Sequence, residues 1–367
     1  MRTPAARTDD PEAEPRARHT VPRVGDVSAH RDGRSVPRPR MKLRAIACVI
    51  DDDIIDHVRR GETSEADKRM AFDISVVRRL RRLADVVHLV PGTEGGRTIE
   101  ELARLQPQVV FNLAFSSCSL EPSFAGALEL LGLPYTGSGP SGIAVANDKI
   151  RSRHLLRAAG IRVPRFVELA PRRRPKALDF DPPFIVKPVS SGDSEGIRGD
   201  SVVDSYAQAL KRADRIWREL EMHAVCDEFI VGREFQVGIV EARRRAFYIT
   251  EIVELHFESA RPGRGFKTEL LMKRGKPRRL YETHARRALL PHRLKTRMAE
   301  IARKTAEVLD LRGYAKIDLR MDDEENIVLI EANPNPGLFS TNKIWGRPGF
   351  EINLRRIIHA ALRRARE

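Results

Sequence analysis

The chain has 367 residues, a formal charge of +15, 41% hydrophobic and 32% charged residues, and a sequence pI near 10.1. That length admits two or three packed subdomains with ample core, and no apolar run approaches the roughly 18 residues a bilayer span needs. The charge excess points toward nucleic acid or an anionic surface, but the arginines are spread along the chain rather than blocked, so charge alone assigns no partner.

Residues 1–40 are rich in Arg, Pro, Asp and Glu and carry almost no large apolar side chains. They cannot bury enough surface to offset the entropy of ordering, so a disordered extension is expected; it also lacks the apolar core of a secretory signal. Met41 stands just before a convincing first strand, 43–50, which favours a mis-assigned start over a basic arm. From there to about residue 138 strands alternate with helices. An amphipathic stretch over 70–83 places Phe72, Val76, Leu80 and Leu83 near helical spacing. Strands follow over 85–90 and 108–113, with helices around 98–105 and 121–131. The alternation implies a small parallel sheet with crossovers, whose ligands bind beyond the carboxyl ends of the strands. Those ends carry Asp51, Asp52 and Asp53, then the run from Asn112 to Ser119. Cys118 has no evident His partner nearby and reads as an inert loop thiol. With Cys48 and Cys226 it matches no zinc or disulfide framework, which fits a reducing cytoplasm.

Next, Asn147-Asp148-Lys149 opens a helix that Gly160 ends, with Val163-Pro164 beyond. Taken alone, Lys149 reads as a solvated first-turn lysine. Pro183-Phe-Ile-Val-Lys187-Pro188 is a short apolar strand ending in a lysine, held near the interior edge of a sheet where a phosphate is its natural partner. A Gly/Ser loop over 189–197 follows; such loops lay backbone N–H groups on phosphate oxygens, although alone they are usually only turns. A polar amphipathic helix over 205–220 leads to the stretch Ala224 to Gly238, two strands about a Gly232 turn. Residues 254–291 form an irregular basic segment containing Lys273, and a helix over 294–309 comes after it.

The organising stretch is 313–337. From Tyr314 to Met321 the residues alternate: Tyr314, Lys316, Asp318 and Arg320 on one face, Ala315, Ile317, Leu319 and Met321 on the other, the mark of a half-buried strand. The acidic cluster 322–326 turns the chain and 327–333 returns it. Glu331 and Asn333, two apart, share a face that an antiparallel return brings beside Asp318. Two carboxylates and an amide oxygen make a hard, oxygen-only site suited to Mg²⁺ (or Mn²⁺) held with nucleotide phosphates. Pro334, Pro336 and Gly337 stiffen the exit. The plain structural reading is a solvent-facing hairpin with a wet polar face.

This hairpin, with Lys316 two residues before Asp318 and Glu331-x-Asn333-x-x-x-Gly337 after it, resembles the metal-binding hairpin of the ATP-grasp enzymes, particularly the D-alanine–D-alanine ligase family. Gly132-Leu-Pro-Tyr-Thr-Gly-Ser138 is closely similar to the segment that ends that family's first domain. The resemblance covers roughly residues 42–360. It implies an α/β fold, an N-terminal small parallel α/β domain (41–138) followed by a two-lobed ATP-grasp α+β module with a central lobe (139–222) and a C-terminal lobe carrying the hairpin (223–367). It implies an ATP-dependent carboxylate–amine ligase working through an acyl phosphate, with small-molecule carboxylate and amine partners, no membrane, and a homodimer among the assemblies allowed. It further implies metal on Asp318, Glu331 and Asn333, phosphates on Lys149 and Lys187, adenine on the main chain of Asp227, Glu228, Phe229 and Ile230, and ribose on Glu234. Lys273 is the implied lysine of a mobile phosphate loop.

The chain departs from the family at the substrates. Asp193-Ser194 stands where the ligases have paired serines; Ser194 keeps a catalytic-loop position, while Asp193 is open to a substrate contact, a third metal-side carboxylate or lost activity. Lys316 replaces the arginine that stabilises the tetrahedral oxyanion, keeping the charge but not the planar fork. Asn342 falls at the acceptor-carboxylate contact, and Ala114-Phe115 replaces a His-Gly segment. The competing readings are a ligase for other amino acids or peptides, and a non-catalytic nucleotide-binding or nucleic-acid-associated protein on the same fold.

Overall fold

In the computed structural model the described residues are 42–61, 68–92, 94–114, 120–190, 194–244, 246–258, 264–266, 271–273, 276–278, 283–338 and 350–366. The expected extension at 1–40, Cys118, Asp193 and Asn342 lie outside them.

Strand β1 (Leu43–Ile50) continues into helices α1 (Asp52–Arg60) and α2 (Lys68–Leu83), then β2 (Ala84–Pro91), α3 (Gly95–Leu105), β3 (Val109–Asn112) and α4 (Glu121–Leu130). The three strands are parallel in the order β2-β1-β3. The apolar run from Ala45 to Ile50 in β1 suits its central place, covered on both faces, where Ile46, Ala47 and Cys48 are fully buried. Helix α1 was not expected. Asp51 occupies its N-cap position and Asp52 and Asp53 its first turn, where negative charge meets the positive end of the helix dipole.

Helices α5 (Pro140–Asn147) and α6 (Lys149–Ala158) meet at Asp148, whose carboxylate accepts from the N–H groups of Ile150 and Arg151 at 3.0 and 2.9 Å and so caps α6. Strands β4 (Phe166–Leu169), β5 (Phe184–Pro188), β6 (Val202–Val203) and β7 (Ala224–Glu228), with α7 (Tyr206–Leu220) before β7, form an antiparallel sheet ordered β4-β7-β5-β6. Helix α7 covers it through Ala209, Ala213 and Ile216.

The remaining strands are β8 (Arg233–Arg243), β9 (Ala246–Phe257), a short ribbon of β10 (Leu271–Lys273) and β11 (Lys276–Arg278), β12 (Thr283–Arg287), β13 (Tyr314–Met321) and β14 (Ile327–Asn333). Apart from the ribbon they build one antiparallel sheet, β12-β9-β8-β13-β14. Helix α8 (His292–Val308) lays Leu294, Met298, Ala302 and Ala306 on its apolar face, against Val237, Ile317 and Leu319. Helix α9 (Phe350–Arg364) returns to the parallel sheet, adding Leu354, Ile357 and Ile358 to the cluster of Ile46, Leu80 and Phe111.

Two expectations change here. The strands flanking Gly232 do not pair with each other: β7 lies in the four-stranded sheet and β8 in the five-stranded one. Gly232 has φ 146, and a Cβ there would stand 2.1 Å from the Met321 carbonyl oxygen, so the connection passes too close to β13 for any side chain. The segment 254–291 is also more regular than its composition implied, because β9 runs on to Phe257 and β12 pairs with it.

Candidate active site

The polar face of β13 is the centre of the site, and it is not wet. Tyr314 is fully buried, and Lys316 and Arg320 are 6% and 4% exposed. Such burial demands partners for each polar group. Tyr314 donates its hydroxyl to Asn335 Oδ1 at 2.6 Å, anchoring the exit loop that Ser138 Oγ also holds by donating to the Pro334 carbonyl at 3.0 Å. Lys316 Nζ lies 2.9 Å from Asp318 Oδ2.

Asp318 pairs directly with Glu331, and Lys316 with Asn333. The register shifts beyond Asp318, so that Leu319 faces Leu329 and Ile330 bulges out. Without that extra residue Leu329 and Glu331 would share a face. The bulge instead sends Leu329 into the apolar cluster and Glu331 to the polar side. Asn333 donates Nδ2 to Asp318 Oδ2 at 3.3 Å; a metal would take the amide by its other end, the oxygen. Asp318 Oδ1 is buried without a hydrogen-bond partner. An orphaned carboxylate oxygen, a second carboxylate and an amide fit a hard dication such as Mg²⁺ or Mn²⁺. Among the described residues no group of three His, Cys, Asp or Glu gathers, so an all-carboxylate alternative is not offered there.

Cations surround these carboxylates. Lys149, the first residue of α6, is 4% exposed, so it is no solvated surface lysine; its Nζ lies 3.7 Å from Glu331 Oε1. Lys187, next to last in β5, is 3% exposed and lies 3.0 Å from Asp227 Oδ2. Arg153, four residues after Lys149 and on the same helix face, grips Asp227 with both arms at 2.5 and 2.7 Å. Sequence reasoning missed it, although the Lys149-x-x-x-Arg153 spacing was the available signal. Burial pushes the Glu331 carboxyl up, but Lys149, Lys187, Lys316 and Arg153 outweigh it and hold the group below the usual range. Burial lowers the Lys187 ammonium, with Asp227 opposing. Four cations thus face Asp227, Asp318 and Glu331, leaving one positive charge in excess for a polyanion.

Asp227 therefore has a role the sequence did not indicate. Its side chain is 1% exposed and ties Arg153 to Lys187, while its backbone pairs with Phe166 and Ile185 on either side. The N–H groups of Glu228 and Phe229 donate to Arg165 and Pro183 carbonyls at 2.8 and 2.9 Å, so these two amides are engaged within the protein. Phe229 and Ile230 are buried at 5% and 8% exposure. Glu234, second in β8, stands opposite Arg320, its Oε2 2.8 Å from Arg320 Nη1. Ser194 sits in the turn that closes on the Ile197 N–H at 3.0 Å and has φ 65, while Gly196 (φ 69) packs where a Cβ would meet Pro188 and Leu220. Lys273 lies on β10, its side chain outside the described residues. Cys48 and Cys226 are buried and free; burial pushes the Cys226 thiol up to about 12 and raises Cys48 as well, so neither is a poised nucleophile.

No described helix is long and apolar enough to cross a membrane. The family model for the D-ala D-ala ligase C-terminus matches residues 155–353. The chain is 29% identical over 284 residues to the D-alanine–D-alanine ligase of Gluconobacter oxydans, covering 77% of this chain and 88% of that one. It is 29% identical over 319 residues to that of Bordetella petrii, covering 83% and 88%. Its fold resembles the Bacillus anthracis D-alanine–D-alanine ligase complexed with ATP (TM-score 0.66, 19% identity, 89% and 99% coverage) and the VanG D-Ala:D-Ser ligase of Enterococcus faecalis (TM-score 0.64, 17% identity, 87% and 99% coverage). These matches do not favour the non-catalytic, nucleic-acid-associated alternative. With a family match over more than half of its length, the chain belongs to the D-alanine–D-alanine ligase family and is an ATP-dependent carboxylate–amine ligase.

Proposed function

We propose that the protein forms an amide or peptide bond between two amino-acid-like substrates on the polar face of β13 and β14. The observation that carries this is the Asp318–Glu331 pair, with one buried carboxylate oxygen unpartnered, ringed by Lys149, Lys187, Lys316 and Arg153. Phosphoryl transfer asks a protein chiefly for position and compensating charge, which this arrangement offers. Asp318, Glu331 and Asn333 would hold Mg²⁺ or Mn²⁺, which supplies charge neutralisation at the phosphates. Lys149 and Lys187 grip the phosphate oxygens, the second locked in place by Asp227. Phe229 and Ile230 form the base side of the nucleotide pocket and Glu234 receives the ribose; Asp227 contributes by holding Lys187 and Arg153.

In the reaction, ATP's γ-phosphoryl passes to the substrate carboxylate, and the amine then displaces phosphate. Lys316 offsets negative charge on the acyl oxygen as a point donor. Ser194 and Asp193 belong to the phosphate-covering loop, Lys273 to the second loop, and Asn342 to the acceptor carboxylate. The division into a substrate-side domain (41–138) and two nucleotide-binding lobes (139–222 and 223–367) is part of this proposal, as are a cytoplasmic location, in keeping with the free buried Cys48 and Cys226, and a homodimer, which light scattering tests. D-alanine is the first substrate to try, given the relatives' names. ADP release with Mg²⁺ and pairs of amino acids is the deciding assay: substrate-dependent release supports the reading, and its absence across a broad panel sinks it.

A further inference from the structure

Of the three charged residues that β13 carries on its polar face, the proposed reaction uses Lys316 and Asp318 but leaves Arg320 without a part. Alternation alone makes Arg320 another outward charge. Instead it is 4% exposed, and among the described residues its guanidinium donates from Nη1 to Glu234 Oε2 at 2.8 Å and to the Gly265 carbonyl at 2.9 Å, and from Nη2 to the Gly232 carbonyl at 2.9 Å. The same group lies over the Phe229 ring, 4.8 Å from its centroid, and Phe229 meets Phe266 edge-on at 6.0 Å. One side chain thus ties β13 to the connection between the two antiparallel sheets, to the start of β8 and to the segment 264–266.

The two carbonyls fix the plane of the guanidinium, and a fixed fork fixes the carboxylate it binds. Of this ion pair Glu234 is the more solvent-exposed, its side chain 14% exposed against 4% for Arg320. Along β13 the pair Asp318 and Glu331 is followed two residues on by Arg320 with Glu234 opposite it, and Phe229 packs against that arginine, which sets a carboxylate and an aromatic ring beside the proposed phosphate end.

We propose that Arg320 is a positioning residue that holds Glu234 in the orientation that receives the ribose hydroxyls, and so sets nucleotide affinity; this rests on the nucleotide reading given above. A purely structural arginine would weaken all nucleotides alike when lost, whereas a positioning one changes discrimination between sugars.

The test is calorimetric binding of ADP, 2′-deoxy-ADP and 3′-deoxy-ADP with Mg²⁺ to the full chain. A hydrogen bond to a charged group supports a preference of about tenfold for ADP in the native protein. Arg320→Met should bring that ratio to about one, chiefly by weakening ADP, and Arg320→Lys, which keeps charge without the fork, should fall between. Glu234→Gln should lower the ratio likewise, and it carries the test if Arg320→Met does not melt as a folded protein. An undiminished preference in either Arg320→Met or Glu234→Gln overturns the inference. So does native protein that binds ADP without preference, which leaves the ligase reading standing; native protein that binds no ADP sinks both.

Discussion

Asp318 and Glu331 stand directly opposite one another across β13 and β14, on the same face only because Ile330 bulges out of the ladder beside them. The bulge keeps Leu329 in the core while placing two carboxylates side by side, an arrangement that is costly unless cations answer it. Lys316 and Lys149 answer it at 2.9 and 3.7 Å, and a dication would complete it.

Asp318→Asn and Glu331→Gln should each cut Mg²⁺-dependent ADP release by at least about 100-fold, the scale of losing one strong electrostatic contact to a developing charge. The melting temperature should fall less than for loss of the Asp227 carboxylate, because each substitution leaves one of the two adjacent carboxylates beside Lys316 and Lys149 and relieves their mutual repulsion. Undiminished turnover in both variants would remove the hairpin from the reaction.

Asp227→Asn should destabilise the fold by about 3–5 kcal/mol in a denaturant titration, because it leaves Arg153 and Lys187 buried without their shared carboxylate. A loss of nucleotide binding at full stability would instead return Asp227 to a direct contact.

Burial lowers the Lys187 ammonium from its ordinary value of 10.5. Between the lowered folded value and 10.5 the unfolded chain binds more protons, so the contribution of Lys187 to stability improves as pH rises through that window. Phosphate affinity should move the other way, falling as the ammonium is lost. Binding of ADP measured against alkaline pH should show this fall, and Lys187→Met should abolish that limb of the profile.

Where the D-alanine ligases carry a loop serine, an arginine fork and a carboxylate contact, this chain has Asp193, Lys316 and Asn342. If these residues take the roles proposed above, Asp193 would repel an approaching carboxylate and attract an ammonium, and Lys316 would position the acyl oxygen less rigidly than an arginine. D-alanine condensation should therefore be slow, with faster ADP release from a substrate bearing an additional positive group. Robust turnover with D-alanine alone would show these replacements to be neutral.

Local sequence determined the strands and helices well: the alternation over 314–321 became β13, and the apolar run 43–50 became β1. Strand period also put Asp318 on the polar face and Glu331 with Asn333 on one face of the return, and marked Lys187 at the end of an apolar stretch, whereas Lys149 stood out only through the family resemblance. Tertiary structure alone decided which sheet β7 and β8 joined, that the polar face of β13 is buried, and that Asp227 binds Arg153 from 74 positions away and Arg320 binds Glu234 from 86. Those outcomes depend on desolvation: a charge reads as solvent-facing in any local pattern until a distant element covers it, and only then must it find its partner.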